Sequence, residues 1–348
     1  MGAAEKTLNG RNGLRGAWPA MLAVLIILLS SCARAAADPL PSWNDGAARA
    51  ALISFVERTT NESSPDFVPV PERIAVFDND GCLWPENPIP FQLAFAVDET
   101  KRMVSEKPAL KDDPMVAALL AGDTATLLAG PNHEGLLRII ALTHAGMTTD
   151  EFAARVNDWV GTAKHPKFDR PYDQLTYQPM QEVLRYLRAN GFTTFIVSGG
   201  GADFMRAWSE RVYGIPPEQV VGSTGRVTYE LRDTGPVLVK TLDYLFVDDK
   251  AGKPAGIHQF IGRRPIIAFG NSDGDKQMLE YTTIDNPKPS LGMLIHHTDG
   301  VREYQYDVNP KSSGTLVEAL KEAPQRGWTV VSMKDDWKQI FSEDLQGR

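Results

Sequence analysis

Cysteine is scarce in this chain: two in 348 residues, Cys32 and Cys82, so no disulfide framework holds it together. Basic charge is not in excess, since 44 acidic against 36 basic side chains leave a net charge of −8. That balance argues against a nucleic-acid binder, which needs a basic face to displace phosphate counterions. No apolar run reaches the ~20 residues that a membrane-spanning helix requires. Internal repeats and low-complexity tracts are also missing. With 43% hydrophobic and 23% charged residues, the composition is neither collagenous, disordered nor coiled coil. What is present is ordinary globular material, long enough for about two folding units.

Residues 1–37 read as an export address. Lys6, Arg11 and Arg15 make a positive start, and residues 20–29 (AMLAVLIILL) are an uncharged apolar run ending in small residues, the pattern of a secretory signal. Two processing signals follow. Leu29-Ser30-Ser31-Cys32 resembles a bacterial lipobox, which makes Cys32 the lipidated first residue of the mature chain. Ala35-Ala36-Ala37 offers an ordinary A-x-A site, and cleavage after Ala37 gives a soluble secreted protein instead. The lipobox is the reading adopted, placing the protein in the cell envelope or periplasm of a bacterium. Membrane contact then comes only through the signal or the lipid anchor.

Beyond the address, strands and helices alternate. Leu52, Phe55 and Val56 predict a helix over 44–59, and a polar, proline-rich connector follows. Ile74-Ala75-Val76-Phe77 is a short β-branched and aromatic run, predicted as a buried strand that stops at Asp78. From Trp84 to about Thr176 only helical patterns occur. The clearest has Thr148 and Glu151 as a capping box, then Phe152, Val156, Trp159 and Val160 on one face. Alternation resumes with a helix carrying Met180, Val183, Leu184 and Leu187, and a strand over 192–197. A helix with Met205, Trp208 and Val212, a hairpin over 226–239, and strands over 266–269, 291–295 and 329–332 come next. Helices are predicted over 314–323 and 335–341. The pattern is that of an α/β protein, a doubly wound, mostly parallel sheet. Its core is built from 38–83 and 177–348, with 84–176 as a helical insertion.

Active sites of such sheets lie beyond the carboxyl ends of the strands, so the residues after each strand carry the chemistry. Asp78-Asn79-Asp80-Gly81 sends two carboxylates toward the crevice, one suited to be ligand or nucleophile and the other acid or base. The alternative is two turn residues with local hydrogen bonds. A calcium loop is excluded, because Leu83 and Ile89 stand where it needs glycine and glutamate. Ser198-Gly199-Gly200-Gly201 is read as opening a helix, where a hydroxyl and free backbone N–H groups suit a phosphate. Gly270-Asn271-Ser272-Asp273-Gly274-Asp275 supplies hard oxygen donors of the kind magnesium prefers. Lys253 precedes this last strand, with Lys250 as a competitor.

In this order the four elements resemble the haloacid dehalogenase superfamily of phosphohydrolases, and the resemblance covers roughly 73–295. Its D-x-D-G-T/V motif corresponds to residues 78–82, its Ser/Thr motif to Ser198, its lysine to Lys253 and its acidic motif to residues 270–275. The resemblance implies that the helical insertion is a cap, as in phosphoserine phosphatase-like members. It implies that Asp78 attacks phosphorus to form an aspartyl phosphate and that Asp80 protonates the leaving alkoxide and then deprotonates water. Ser198, with Gly199 and Gly200, would hold the phosphoryl oxygens, and Lys253 would neutralise developing charge. The implied magnesium site comprises Asp78, the Asp80 carbonyl and position 271, with Asp275 beside them. The substrate class is a small-molecule phosphate ester. Asp80 argues for phosphatase over dehalogenase, because an alkoxide needs a proton to leave and a halide does not.

Two positions depart from the family pattern. Asn271 stands where most members have Asp, which removes a charge from the metal shell and asks Asp275 or Asp273 to compensate. It is the one feature favouring the runner-up function, a decayed envelope lipoprotein with a binding role. Cys82 replaces Thr or Val and reads as a small buried side chain. Trp84 and Glu86 follow the first motif where a flap over the substrate is expected, or simply pack against the sheet. His296, His297 and Arg302 follow a strand at the active edge, as substrate contacts or as loop residues. His133, His144, His165 and His258 lack metal-ligand spacing, and Arg138 and Lys164 are candidates to meet an anion from the insertion or to be solvated.

Overall fold

The computed structural model describes residues 38–127, 129, 134–307 and 313–342; Cys32, the A-x-A site and His133 lie outside them. In chain order, α1 (Ala47–Thr60) leads to β1 (Ile74–Phe77), all four of whose residues are buried, as a strand covered on both faces requires. Five helices follow: α2 (Phe91–Glu106), α3 (Pro114–Ala121), α4 (Thr124–Leu127), α5 (Glu134–His144) and α6 (Thr149–Thr162), with no strand among the described residues of this stretch. Then come α7 (Gln178–Ala189), β2 (Thr193–Gly201), α8 (Ala202–Arg206), α9 (Ser209–Tyr213), β3 (Val220–Arg232), β4 (Gly235–Phe246) and α10 (Gly252–Gly256). The chain continues with β5 (Ile267–Gly270), α11 (Lys276–Thr283), β6 (Leu291–His296), α12 (Glu318–Arg326), β7 (Thr329–Ser332) and α13 (Met333–Asp336).

The strands form one seven-stranded sheet in the order β4-β3-β2-β1-β5-β6-β7. Every neighbouring pair is parallel except β3 with β4. Strand order runs outward from β1 in both directions, so the switch point, where open α/β sheets bind ligands, lies between β1 and β5. The period of two divides the strand residues between two cores. Ala75, Phe77, Ile196, Ile267, Phe269, Met293 and Ile295 face α1 and α7, while Val76, Val197, Val221, Ala268 and Leu294 face α10 to α12. Phe77 and Phe269 stack at 4.8 Å between ring centroids, worth about 0.5–1.5 kcal/mol beyond their buried area.

Helix α6 carries the predicted capping box, the Thr148 hydroxyl accepting from Glu151 N at 3.1 Å and Glu151 Oε2 accepting from Thr148 N at 2.8 Å. The hairpin β3–β4 is longer than expected and reaches the insertion. Lys240 N donates to Met147 O and Gly146 N donates to Lys240 O, both at 2.9 Å, so β4 pairs with the α5–α6 turn.

Four expectations need correction. Ser198–Gly201 does not open a helix; these residues extend β2, with a register shift against β3 between Ser198 and Gly201, and α8 starts only at Ala202. The helix expected through Met205, Trp208 and Val212 is broken into α8 and α9 at Trp208, which has a φ of −133°, and Asn157 of the insertion donates to the neighbouring Ala207 O at 2.7 Å. The helix expected from 314 starts at Glu318. Gly314 has a φ of 86°, a left-handed conformation outside any right-handed helix, and Asp273 caps the true start through Val317 N and Ala319 N. The last predicted helix is only α13, after which Trp337 turns extended and Lys338 N donates to Ser42 O.

Candidate active site

Asp78 is the first residue beyond β1. Its N–H donates to Phe269 O at 3.0 Å, which carries the sheet pairing one residue past the strand. The next residues turn sharply: Cys82, Leu83 and Trp84 all donate N–H groups to Asn79 O, and Gly81 takes a φ of 77°. This turn returns the Trp84 indole to Asp80, whose Oδ1 accepts from Trp84 Nε1 at 2.5 Å and from Asn79 Nδ2 at 3.1 Å. Burial raises the Asp80 carboxyl above its ordinary range against these two donors and Lys253. It therefore keeps a proton more readily than a surface aspartate does.

Lys253, carried by α10, is buried among carboxylates. Its ammonium lies 2.9 Å from Asp78 Oδ1 and 2.5 Å from Asp275 Oδ1, and donates to Val197 O at 3.1 Å. Burial alone would lower its pKa, but Asp275 and Asp78 raise it well above the ordinary lysine value. Burial and the charge of Asp275 hold the Asp78 carboxyl well above its usual range, against the pull of Lys253. Lys250 is exposed, with a φ of 50°, so Lys253 alone of the two reaches the site.

The loop after β5 is organised around Asp275. Its Oδ2 accepts from Asn271 N, Ser272 N and Ser272 Oγ at 2.9–3.1 Å, while its Oδ1 faces Lys253. Both oxygens are thus engaged by the protein, and Asp273 is turned away to cap α12. Asn271 donates its Nδ2 to Glu86 Oε1 at 2.7 Å, and its Oδ1 is buried with no partner. Glu86 also accepts from the Tyr306 hydroxyl at 2.8 Å. Burial pushes its carboxyl up to about 7, opposed by the Ser313 hydroxyl, His297 and Tyr306.

Ser198 is buried, and its hydroxyl accepts from Gly200 N at 3.3 Å. A Cβ at Gly200 would lie 3.6 Å from Ser198 Oγ and 3.9 Å from Asp80 Oδ2, so this backbone looks onto the turn that carries Asp78 and Asp80, with Gly199 exposed beside it. Gln92, in the first turn of α2, escaped the sequence reading. Its Oε1 accepts from Gly201 N at 2.7 Å, and its Nε2 stands 3.4 Å from His144 Nε2. Burial and the neighbouring Lys240 hold His144 down to about 3, so it is neutral. Gln92, His144, Asp203, Ser223, Lys240 and Tyr244 line a cavity between the insertion and the β3–β4 hairpin.

The remaining candidates have structural partners. His297 donates Nε2–H to Gly81 O at 2.7 Å and meets Glu303 at 3.1 Å, buttressing the turn. His296 pairs with Asp307, and Arg302 binds Asp299 and the carbonyls of Met333, Lys334, Trp337 and Lys338. Arg138 pairs with Asp113 and Lys164 with Asp169 at the surface. Cys82 is buried, and burial with the charges of Asp78 and Asp275 pushes its thiol well up, leaving it unreactive.

Among the described residues no three His, Cys, Asp or Glu side chains gather as a metal-binding set. The buried, unpartnered Asn271 Oδ1 is a hard oxygen donor of the kind a cation that keeps several waters accepts, and with the Asp78 carboxylate and the Asp80 carbonyl it makes up the set that the family resemblance implies. The carboxylates of Asp78 and Asp275 also outnumber the single ammonium of Lys253, which favours a further positive charge.

The fold is shared with one solved structure of low sequence identity, and others match more loosely. A functionally unknown protein of Anaerococcus prevotii matches with a TM-score of 0.51 at 14% identity over 83% of this chain and 94% of its own. A protein of unknown function from Bordetella pertussis Tohama I matches with a TM-score of 0.47 at 16% identity over 75% and 99%. A phosphoserine phosphohydrolase-like protein of Francisella tularensis matches with a TM-score of 0.35 at 17% identity over 64% and 87%. No curated protein matches the chain. A family model described as haloacid dehalogenase-like hydrolase matches residues 75–280, more than half the sequence. The chain belongs to the haloacid dehalogenase-like hydrolase family.

Proposed function

We propose that the protein is an exported, magnesium-dependent phosphomonoester hydrolase that works through an aspartyl phosphate. The observation that carries this reading is the buried triad in which Lys253 sits 2.9 Å from Asp78 and 2.5 Å from Asp275, with Asp80 on the same turn. Lys253 fixes one oxygen of Asp78, and the other attacks phosphorus. As that O–P bond forms, the P–O bond to the leaving group breaks, and Asp80 gives the alkoxide its proton. Water then attacks phosphorus, Asp80 takes a proton from it, and the acyl-phosphate P–O bond breaks to return the Asp78 carboxylate. The raised Asp80 pKa suits a group that must begin as an acid. Ser198 and the backbone at Gly199 and Gly200 hold the phosphoryl oxygens. Asp78, the Asp80 carbonyl and Asn271 would hold magnesium, which supplies positive charge against the phosphoryl group.

The substrate is a small organic phosphate, phosphoserine-like in class, whose leaving group lies toward Gln92 and the cavity beneath the insertion. The purified mature chain should hydrolyse p-nitrophenyl phosphate, lose turnover on chelation and regain it when magnesium is restored. Absence of turnover between about pH 5 and 8 with magnesium present would overturn the phosphatase reading. The export pattern supports anchoring at Cys32. Metabolic labelling with a palmitate analogue should mark wild type and not Cys32→Ala, and equal labelling of both removes the anchor.

A further inference from the structure

We infer that Glu86 is a positioning residue for metal binding: it turns the Asn271 amide so that its oxygen, and not its nitrogen, faces the cation. The inference rests on the metal-dependent reading above and adds a residue to it. An aspartate at position 271 needs no such partner, because both ends of a carboxylate are oxygens. An amide has one oxygen and one NH2 end of nearly the same shape, and only the oxygen ligates a cation. Something must select between the two rotations.

Glu86 does so by accepting from Asn271 Nδ2 at 2.7 Å, which leaves Asn271 Oδ1 buried and unpartnered. The Glu86 oxygen that accepts this bond is itself held by the Tyr306 hydroxyl at 2.8 Å. Two glycines make room for the arrangement. A Cβ at Gly81 would collide with Asn271 Nδ2 and Glu86 Oε1, and a Cβ at Gly314 would collide with Glu86 Oε1 and the Tyr306 ring. Neither acidic neighbour substitutes for Glu86. Asp273 caps α12, and Asp275 has both oxygens engaged by Lys253 and the loop's own donors.

Residues outside the ligand shell that orient a ligand typically contribute 10–100-fold to metal affinity. The test is magnesium binding to the purified chain by calorimetry, without substrate. Glu86→Ala should weaken magnesium binding by about 10–100-fold. Adding Asn271→Asp should bring the double variant back to within about 3-fold of wild type, since a carboxylate ligates from either end. Affinity in Glu86→Ala within about 2-fold of wild type would overturn the inference. So would a double variant as weak as the single one, because Glu86 would then only brace the loop. Wild type that binds no magnesium would instead overturn the metal reading itself.

Discussion

Asp78→Asn should reduce hydrolysis of p-nitrophenyl phosphate by at least about 10³-fold, the scale seen when a covalent nucleophile is removed. Asparagine keeps the shape of the side chain but has no carboxylate to attack phosphorus, so no acyl phosphate forms. The same change should not lower stability. Burial and Asp275 hold the Asp78 carboxyl well above its usual range, so the folded protein binds a proton there more tightly than the unfolded chain does. Stability from such a group is greatest at low pH and is lost as pH rises from about 3.9 toward the folded-state value. Asparagine escapes that loss, and the variant should melt at or above the wild-type temperature at pH 8, with a smaller difference near pH 5. A variant that keeps a tenth of wild-type turnover removes Asp78 from the nucleophile's role.

Lys253→Met should act in the opposite direction on stability. The lysine is 2% exposed and neutralises two carboxylates within 3 Å. Deleting one partner of a buried ion pair costs about 3–5 kcal/mol, and in a chain of this size that lowers the melting temperature by about 4–7 °C. Because the folded-state pKa of Lys253 is raised, its stabilisation is fully present below the unfolded lysine value of about 10.4. It therefore holds across the working range. The loss in the variant should be smaller near pH 5 than at pH 8, since Asp78, its pKa raised already, takes up a proton to relieve the buried, unpaired charge. Unchanged melting at pH 8 would show that the triad does not hold the site together. Asp78 and Lys253 thus separate chemistry from stability within a single contact.

The sequence made the sheet legible wherever burial on both faces forced an unbroken apolar run. Ile74-Ala75-Val76-Phe77 is such a run, and β1 covers those same four residues. Thr148 and Glu151 were equally readable, because a capping box is a local device with fixed spacing. Lys253 could be preferred over Lys250 only by its order in the motif series, and the structure separates them by burial. What local pattern could not supply was long-range pairing. Glu86 and Asn271 are 185 positions apart, and Gln92 and Gly201 are 109 apart. A buried glutamate between Trp84 and the proline at 88 was the available signal for the first pair. No signal pointed to Gln92. The same holds for the break after Ala207, where Asn157 from the insertion meets the Ala207 carbonyl.

The hydrogen bond from Asp78 N to Phe269 O has a consequence for how this site tolerates change. It ties the Asp78 backbone to β5, the strand that leads into Asn271, so the main-chain separation of the two loops at their roots is set by the spacing of two neighbouring strands, about 4.8 Å. That spacing is a constant of backbone pairing and owes nothing to side-chain identity. The sheet acts as a ruler. Substitutions in the surrounding loops can change charge and donor type, as Asn271 does in this chain, while the main-chain separation at the roots of the two loops stays the same.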